Sequence, residues 1–272
     1  MIVFCIVLIS IAIVLYLTMD KNNAVLQLLG WVKKAKGDKV ALNSIDTSKS
    51  KAIDHDIWDG LLSNNVDSIG KVNYEGFINS KRDFERYLDI LSYNPPKQSD
   101  TEAYKISYWI NAYNAYTVKL IIDNFPLASI KDLSNGVAIL NSPWDIKFFE
   151  IGGVSFDLNT IEHQILRKEF SEPRIHFAIN CASQSCPKLL DEAYTEASLE
   201  AQLERQTMSF INSPDKNDID NNEAKLSKIF DWFAVDFEKN HGSVKQFIQK
   251  YVDVDIEPVS ISFMEYDWSL NN

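Results

Sequence analysis

Residues 101–123 read TEAYKISYWINAYNAYTVKLIID, a stretch that is apolar on almost every face of a helix. Such a helix is buried on most sides. Asp100 or Thr101 is a suitable N-cap residue, and Phe125-Pro126 marks the end of the pattern. The stretch therefore predicts a long central helix around which the rest of the domain packs.

Shorter patterns around this helix predict both helices and strands. Residues 147–158 give a hairpin signal around Gly152-Gly153, and RIHFAIN at 174–180 predicts a short strand that runs into Cys181. Asn159 and Glu162 have the spacing of a capping box at the start of a helix. Because no regular βαβ alternation appears, we predict an α+β fold with helices around a small mixed or antiparallel sheet. The helices are predicted over residues 55–62, 80–93, 159–170, 198–211 and 243–252, a short strand over 224–227, and an aromatic turn or helix over 230–237.

Charge excludes some classes of function. The chain has 272 residues and a formal net charge of −11. Phosphate contacts need clustered Lys and Arg, so this balance argues against a nucleic-acid partner. The Cys and His residues show no zinc-site spacing, and we predict neither a metal nor a cofactor.

The first residues differ in character from the rest. Residues 1–19 carry no charge, and IVFCIVLISIAIVLYLTM at 2–19 is just long enough to cross a bilayer as a helix. We predict a membrane anchor at 1–19, with a signal segment as the alternative. A juxtamembrane helix and a polar linker follow in residues 20–54, and the globular domain spans 55–272. Taken literally, the lysines after the apolar run place this domain in the cytoplasm, but composition leaves the side of the membrane open.

Cys181 is the first candidate for chemistry, because it follows an apolar segment and precedes small polar residues. A reactive cysteine needs a nearby cation, imidazole or helix N-terminus to form thiolate. The alternative is an inert buried thiol. Cys186 lies five residues on, so the two thiols could also form a disulfide, or act as nucleophile and resolving thiol. A thiol–disulfide switch requires both sulfurs to react and fails if Cys186 is buried.

Two histidines lie near these cysteines in sequence. Strand alternation over 174–180 would turn His176 away from the side of Cys181. His163, beside Glu162, then becomes the better general base. Equally, His163 could be a half-buried helix residue and Glu162 a capping carboxylate. Asn111 and Asn114 lie three apart on the central helix. We favour a structural role for these amides over orienting an imidazole or binding an oxyanion.

Four segments resemble the DUF547 family, a family of unknown function found in bacteria, often with export signals, and in plants. They are YWINAYNA from residue 108, IEHQILR from 161, RIHFAINCASQSCP from 174 and IFDWFAVDF from 229. The resemblance covers about residues 104–237. It extends more distantly to the papain-like thiol hydrolases, although His163 precedes Cys181, so a papain-like site would need a permuted order.

The resemblance implies a set of site residues. In the plant branch of the family the position that matches Cys186 is usually serine, which favours Cys181 as the nucleophile. His163 becomes the base, and Glu162 or Asn111 orients it. A backbone N–H near Ala182 would help to bind an oxyanion. The candidate substrate contacts are Asn114, Trp109 and Arg174.

Two functions follow from these observations. The first is a membrane-tethered, cysteine-dependent hydrolase or acyl-transferase that acts on an amide or thioester, with glutathione or a cell-wall peptide as examples of a small peptide substrate. The second is a non-catalytic, membrane-anchored interaction module in which Cys181 and Cys186 form a structural pair. In either case we predict an extracytoplasmic location, periplasmic or in the cell envelope.

Overall fold

A computed structural model describes residues 42–134 and 142–272 of the chain. Within these ranges the helices outweigh the strands, and the fold is α+β, as predicted. The α-helices are α1 (Asp56–Asn65), α2 (Tyr74–Asn79), α3 (Lys81–Tyr93), α4 (Glu102–Ile122), α5 (Arg167–Glu169), α6 (Leu199–Ile211), α7 (Ile229–Trp232), α8 (Ala234–His241) and α9 (Val244–Ile248). The strands are β1 (Phe149–Ile151), β2 (Val154–Phe156), β3 (Asp218–Ile219), β4 (Glu223–Leu226) and β5 (Ser260–Phe263).

Helix α4 is the central helix that the apolar stretch predicted. Thr101 caps it, because its side-chain oxygen accepts a hydrogen bond from the Tyr104 N–H at 3.1 Å. Residues 106–118 are buried without interruption. The larger of two hydrophobic clusters forms around this helix from α1–α4 and the β1–β2 hairpin. The prediction of a helix buried on most sides is confirmed.

The strands form two small sheets. Strands β1 and β2 pair antiparallel, with Phe149 opposite Phe156, which confirms the hairpin. In the second sheet β4 lies between β3, its antiparallel partner, and β5, its parallel partner. Strand β5 was not predicted. Its pairing leads the C-terminal segment back toward the centre of the molecule.

The strand predicted over residues 174–180 is wrong. Residues Pro173–Phe177 form a 3₁₀-helix with proline in its first turn, and the Glu172 side chain accepts a hydrogen bond from the Arg174 N–H at 3.0 Å. A short apolar run has no period that separates a buried strand from a buried helical turn. Proline at the first helical position favours the turn here. The alternation argument that turned His176 away from Cys181 therefore loses its basis.

The helix predicted over residues 159–170 is present, but most of it is a π-helix, Thr160–Leu166, followed by α5. The predicted capping box is wrong. The Asp157 carboxylate, not Asn159, accepts a hydrogen bond from the Thr160 N–H, at 2.7 Å. The Asn159 amide instead donates to Asp145 at 2.5 Å. The cap lies outside the predicted spacing because the chain turns into this helix directly from β2.

A second hydrophobic cluster lies beside the first. Its aromatic members include Phe177, Phe230 and Phe237, and it draws on α6 to α9 and β4. The chain passes from this cluster at Phe177 to the larger one at Ala178 and Ile179. The segment that crosses between the two clusters leads directly into Cys181.

The predicted anchor at 1–19 and the predicted juxtamembrane helix lie outside the described residues. The described end of the predicted linker packs on the domain, where the Asp46 N–H donates to the Gly152 carbonyl at 2.9 Å and Lys51 N–H to the Asn94 side chain at 3.0 Å. Over residues 42–134 and 142–272, none of the helices has the length and apolar character needed to cross a bilayer.

Candidate functional site

A cavity of about 200 Å³ opens where the two hydrophobic clusters meet. Three of the residues that the sequence singled out line it, namely Cys181, His163 and Glu162, and His176 joins them. The other lining side chains are mostly aromatic. They are Tyr113, Trp144, Trp232, Phe233, Tyr266 and Trp268, with Asn159, Ile179, Cys186, Pro187 and Ile229.

Cys181 is joined to Cys186 by a disulfide, with their Cα atoms 6.1 Å apart. The two sulfurs differ in access, since Cys181 is half-buried and Cys186 is 5% exposed. A switch in which both sulfurs react with external thiols therefore lacks the accessible Cys186 that it requires. Any exchange would begin at the Cys181 Sγ.

The loop around Cys181 is held in an unusual conformation. Ala182, the next residue, has φ +60°, in the left-handed region that residues other than glycine seldom adopt. Its N–H donates to the Asn180 side chain at 2.9 Å, and the Cys181 N–H points at the Cys186 Sγ at 2.8 Å. The N–H groups of Cys181 and Ala182 therefore both have acceptors here, and an oxyanion donor near Ala182 stays a prediction.

Two hydroxyl groups approach the Cys181 sulfur. The Ser183 Oγ and the Tyr266 Oη both lie 3.3 Å from the Cys181 Sγ and 3.2 Å from each other. In a reduced protein these O–H groups are placed to donate to a thiolate. Tyr266 reaches this position because the C-terminal segment pairs with the cysteine loop, where Gln184 N–H donates to the Ser269 carbonyl at 2.8 Å.

His163 lies on the π-helix at the cavity mouth. Its Nδ1 is 3.0 Å from the Arg167 Nη1 and 3.8 Å from the Glu162 carboxylate. Because a guanidinium can only donate, Nδ1 must be the acceptor, and the proton of the neutral ring lies on Nε2. Desolvation lowers the pKa of His163, and the nearby Arg167 lowers it further against the opposing effect of Glu162. The ring therefore offers the cavity an Nε2–H donor in preference to a free lone pair.

His176 is the same tautomer as His163, but its other nitrogen is the one with a hydrogen-bond partner. Its Nε2 lies 2.8 Å from the Asp236 carboxylate, which can only accept, so the proton lies on Nε2 and Nδ1 keeps its lone pair. Nδ1 is buried and has no hydrogen-bond partner in the described part of the chain. The ring stacks on Phe233 with centroids 4.0 Å apart. Burial lowers the pKa of His176, against the hydrogen bond to Asp236, so the ring is neutral at pH 7.

Asp236 connects the two histidines. Its Oδ2 accepts from the His176 Nε2 at 2.8 Å and from the Arg167 Nε at 2.5 Å, and Arg167 in turn donates to His163. Burial alone would raise the pKa of Asp236, but the hydrogen bonds from His176 and Arg167 hold it well below its ordinary value. The carboxylate is therefore ionised and fixes the tautomer of His176.

The remaining predicted residues lie away from the cavity. The Asn111 amide bonds the backbone of Tyr194 twice, at 2.7 and 3.0 Å, and Asn114 bonds the Ala178 carbonyl at 2.9 Å and the Asn180 N–H at 2.8 Å. Both amides tie distant segments to α4, as buried amides require. Asn114 thus holds the segment that leads into Cys181. A direct role for either in the reaction stays a prediction.

Trp109 and Arg174 are held by other contacts. Trp109 is 5% exposed and packs on Phe156, with ring centroids 5.9 Å apart. Arg174 donates to Glu172 at 2.7 Å and to Glu200 at 2.7 Å. Neither residue lines the cavity, so their predicted contact with substrate stays a prediction. The contacts of Trp109 stabilise the packing of α4, and those of Arg174 join the 3₁₀-helix to α6.

Sequence reasoning missed several residues of the site. Trp232 and Phe233 line the cavity and Asp236 bonds the lining His176, and all three lie within IFDWFAVDF, a segment quoted above for the resemblance. Tyr266 and Trp268 lie in the C-terminal segment and carry no motif that links them to Cys181. The pairing of β5 with β4 and the hydrogen bonds between the C-terminal segment and the cysteine loop place them at the cavity. Among the described residues, no group of three or more His, Cys, Asp or Glu has metal-binding geometry.

The central segment of the chain matches the model of a known family. Residues 97–211 match the family model described as "Protein of unknown function, DUF547", which confirms the resemblance for the first three of the four segments; IFDWFAVDF lies outside the match. The matched segment contains Cys181 and both cavity histidines but ends before Asp236 and Tyr266. No curated protein matches the chain, and no solved structure does.

Proposed function

We propose that this protein is a membrane-tethered, cysteine-dependent hydrolase or acyl-transferase that acts on an amide or thioester of a small molecule or peptide. The observation that carries the proposal is that Cys181 lines one cavity with two histidines, of which His176 has an unpartnered Nδ1 and His163 an Nε2–H. A papain-like site with a permuted order of histidine and cysteine, in the cavity between the two hydrophobic clusters, is the arrangement that we propose for this reaction. Residues 1–19 anchor the domain on the extracytoplasmic side, a compartment in which disulfides persist.

The resting disulfide must first be opened. A dithiol reductant attacks the more accessible Cys181 Sγ, and the exchange leaves both thiols reduced and the reductant oxidised to its disulfide. The electrons come from the dithiol, and its two protons go to the two cysteines. Cys181 is then free to act as the nucleophile, while Cys186 stays buried.

Acyl transfer then proceeds at Cys181. The His176 Nδ1 takes the thiol proton, and the thiolate forms a bond to the carbonyl carbon of the substrate. The Nε2–H of His163 donates to the oxyanion. When the tetrahedral intermediate collapses, the C–N or C–S bond of the substrate breaks and the leaving group takes the proton from His176. Water or an acceptor amine or thiol then attacks the thioester, loses its proton to His176 and releases Cys181.

This proposal reverses the order in which the sequence ranked the two histidines. The Nδ1 of His163 accepts from Arg167, whereas the Nδ1 of His176 is unpartnered. Asp236 stabilises the His176 imidazolium as it forms, in the role that orienting carboxylates have in catalytic triads. The assignment of the base to His163 remains the competing prediction.

Alkylation by iodoacetamide tests the nucleophile in the Cys186→Ser variant, which leaves Cys181 unpaired. We expect Cys181 to react faster at pH 7 than free cysteine and the reaction at this site to disappear in Cys186→Ser/Cys181→Ala. Equal labelling of the double variant, or a rate no greater than that of free cysteine, would overturn the proposal.

The pH dependence of the same reaction tests the base. Loss of the imidazole partner should raise the apparent pKa of the Cys181 thiol by about one unit or more in His176→Gln. We expect a smaller shift in His163→Gln. A larger shift in His163→Gln would return the role of the base to His163.

The disulfide itself favours a second function, a non-catalytic, membrane-anchored module. In this case Cys181 and Cys186 only close a short loop, which contributes about 2 kcal/mol to stability on the chain-entropy account. Mass spectrometry of protein from its native compartment distinguishes the two. A quantitative, persistent bridge under conditions in which a dithiol reductase is active supports the module.

A further inference from the structure

The cavity has an unusual wall for the neighbourhood of a cysteine. Trp232, Tyr266 and Trp268 form a contiguous aromatic group, with ring centroids 4.8 Å apart for Trp232–Tyr266, 4.4 Å for Tyr266–Trp268 and 5.9 Å for Trp232–Trp268. Trp144 continues the group, 5.6 Å from Trp268. Trp232 is 46% exposed, although a tryptophan buried in either core would contribute more to stability. Exposed aromatic groups of this kind mark binding sites.

A buried carboxylate faces the same space. Glu162 lines the cavity and is 7% exposed. Its partners in the described part of the chain are the Tyr113 hydroxyl at 3.3 Å and the His163 ring at 3.8 Å. His163 brings no positive charge at pH 7, because desolvation lowers its pKa. A buried carboxylate without a cationic partner is costly, and a ligand cation would remove that cost.

Cations near the cavity are already engaged. Arg167 pairs with Asp236 at 2.5 Å and does not line the cavity. The Lys131 ammonium lies outside the lining, 3.8 Å from the ring centroid of Trp268. The lysine thus shows that a ring of this aromatic group accepts an ammonium over its face. Among the described residues, no lysine or arginine cation contacts the rings of Trp144, Trp232 and Tyr266 or the Glu162 carboxylate.

We infer that the cavity binds an ammonium-bearing ligand, with the cationic group between the aromatic wall and the Glu162 carboxylate. Electron-rich ring faces attract cations, and aromatic cages recognise alkylated ammonium groups in this way. The volume of about 200 Å³ suits a small head group. A net charge of −11 also steers cations toward the protein. The inference rests on the cavity of the proposed function but requires no reaction at Cys181.

Choline and its neutral isostere 3,3-dimethylbutan-1-ol provide the test. The two probes share their shape and differ in charge, and tryptophan fluorescence of the full chain reports their binding. We expect saturable binding of choline, at least about tenfold tighter than that of the alcohol. Equal binding of both probes would show an apolar cavity only, and the absence of saturation by choline would also overturn the inference.

Variants locate the site. Glu162→Gln should weaken choline binding by about tenfold or more and leave the weak binding of the alcohol unchanged. Glu150→Gln, at an exposed position of β1, is the matched control and should bind choline as the natural chain does. Trp232→Ala changes an exposed side chain, so it should fold and still lose choline affinity. Unchanged affinity in both Glu162→Gln and Trp232→Ala would overturn the inference.

The test is separate from that of the proposed function. Choline binding without alkylation of Cys181 would refute the thiol chemistry and leave the ammonium site. Alkylation without choline binding would do the reverse. Saturable binding of a neutral sugar such as N-acetylglucosamine, with no binding of choline, would reassign the aromatic wall to a carbohydrate and overturn the inference.

Discussion

The replacement of Asp236 is the perturbation that most directly tests the hydrogen-bond network of the cavity. One oxygen, Oδ2, accepts from both the His176 Nε2 at 2.8 Å and the Arg167 Nε at 2.5 Å. The His176 side chain is 1% exposed, so in Asp236→Ala its Nε2–H would lose its partner away from water. Hydrogen bonds to charged groups contribute about 1.5–3 kcal/mol each, so we expect a loss of about 3–5 kcal/mol in the free energy of unfolding.

Asp236→Asn separates charge from hydrogen bonding. An amide oxygen in the place of Oδ2 can still accept from both donors, but the bonds are no longer charge-assisted. We expect a loss of about 2 kcal/mol in the free energy of unfolding, which is smaller than the loss in Asp236→Ala.

Asp231→Ala is the matched control. Asp231 lies in the first turn of α7, and its side chain is 45% exposed and pairs with Lys228 at 3.6 Å. Exposed pairs of this type contribute little, so we expect a loss of about 0.5 kcal/mol or less.

Urea unfolding followed by tryptophan fluorescence measures all three variants. A second measurement, the NMR signals of the His176 ring nitrogens, should show the proton on Nε2 in the natural chain and a mixture of tautomers in Asp236→Ala. If Asp236→Ala costs no more than Asp231→Ala, or if His176 keeps its tautomer without Asp236, the reasoning about this network is refuted.

Three further predictions follow from buried groups and from one turn. Burial lowers the pKa of His55 from 6.5 to about 4. The folded state therefore binds a proton at His55 less readily than the unfolded state does. The stability that is present above pH 6.5 is lost as the pH falls toward 4. The loss is about 3 kcal/mol in unfolding titrations, and His55→Gln should remove this dependence; an unchanged pH profile in that variant would contradict the prediction. Asn111→Ala leaves the Tyr194 N–H and carbonyl unpaired in the core. Urea unfolding should therefore show a loss of about 2–5 kcal/mol in the free energy of unfolding. A loss below about 1 kcal/mol would mean that water or a rearranged backbone replaces the amide. Gly70→Ala should destabilise more than Gly153→Ala in thermal unfolding, because both glycines have positive φ but only at Gly70 would an added Cβ collide with the Cβ of Lys188. Equal shifts in Tm would contradict this.

Local sequence signals predicted the elements in which one physical effect dominates. The apolar stretch of α4 is long enough for its helical pattern to exclude a strand, and the paired glycines define the β1–β2 hairpin. The order of these patterns predicted the α+β class, because long helical patterns and a hairpin occur together without βαβ alternation. The motifs also identified the resemblance to the DUF547 family, which residues 97–211 confirm, and indicated Cys181, His163 and Glu162 as candidates.

Local signals failed where several effects compete over a few residues. RIHFAIN is apolar at nearly every position, so its pattern predicts burial but not backbone conformation, and Pro173 decides for a 3₁₀-helix. Asn159 and Glu162 have the spacing of a capping box, yet Asp157 provides the cap. Such choices differ by only about 1 kcal/mol and depend on neighbours from other parts of the chain.

The sequence by itself determined the central helix, the α+β class, the family resemblance of the central segment and the cysteine around which the candidate site is built, because these follow from local period and from the order of residues. Only the tertiary structure decided which groups meet that cysteine. Asp236 fixes the tautomer of His176 across 60 residues, and Tyr266 reaches the Cys181 sulfur across 85. No local pattern encodes such contacts. They arise from the packing of two hydrophobic clusters and from the parallel pairing of β5 with β4, which determine where each polar side chain is placed.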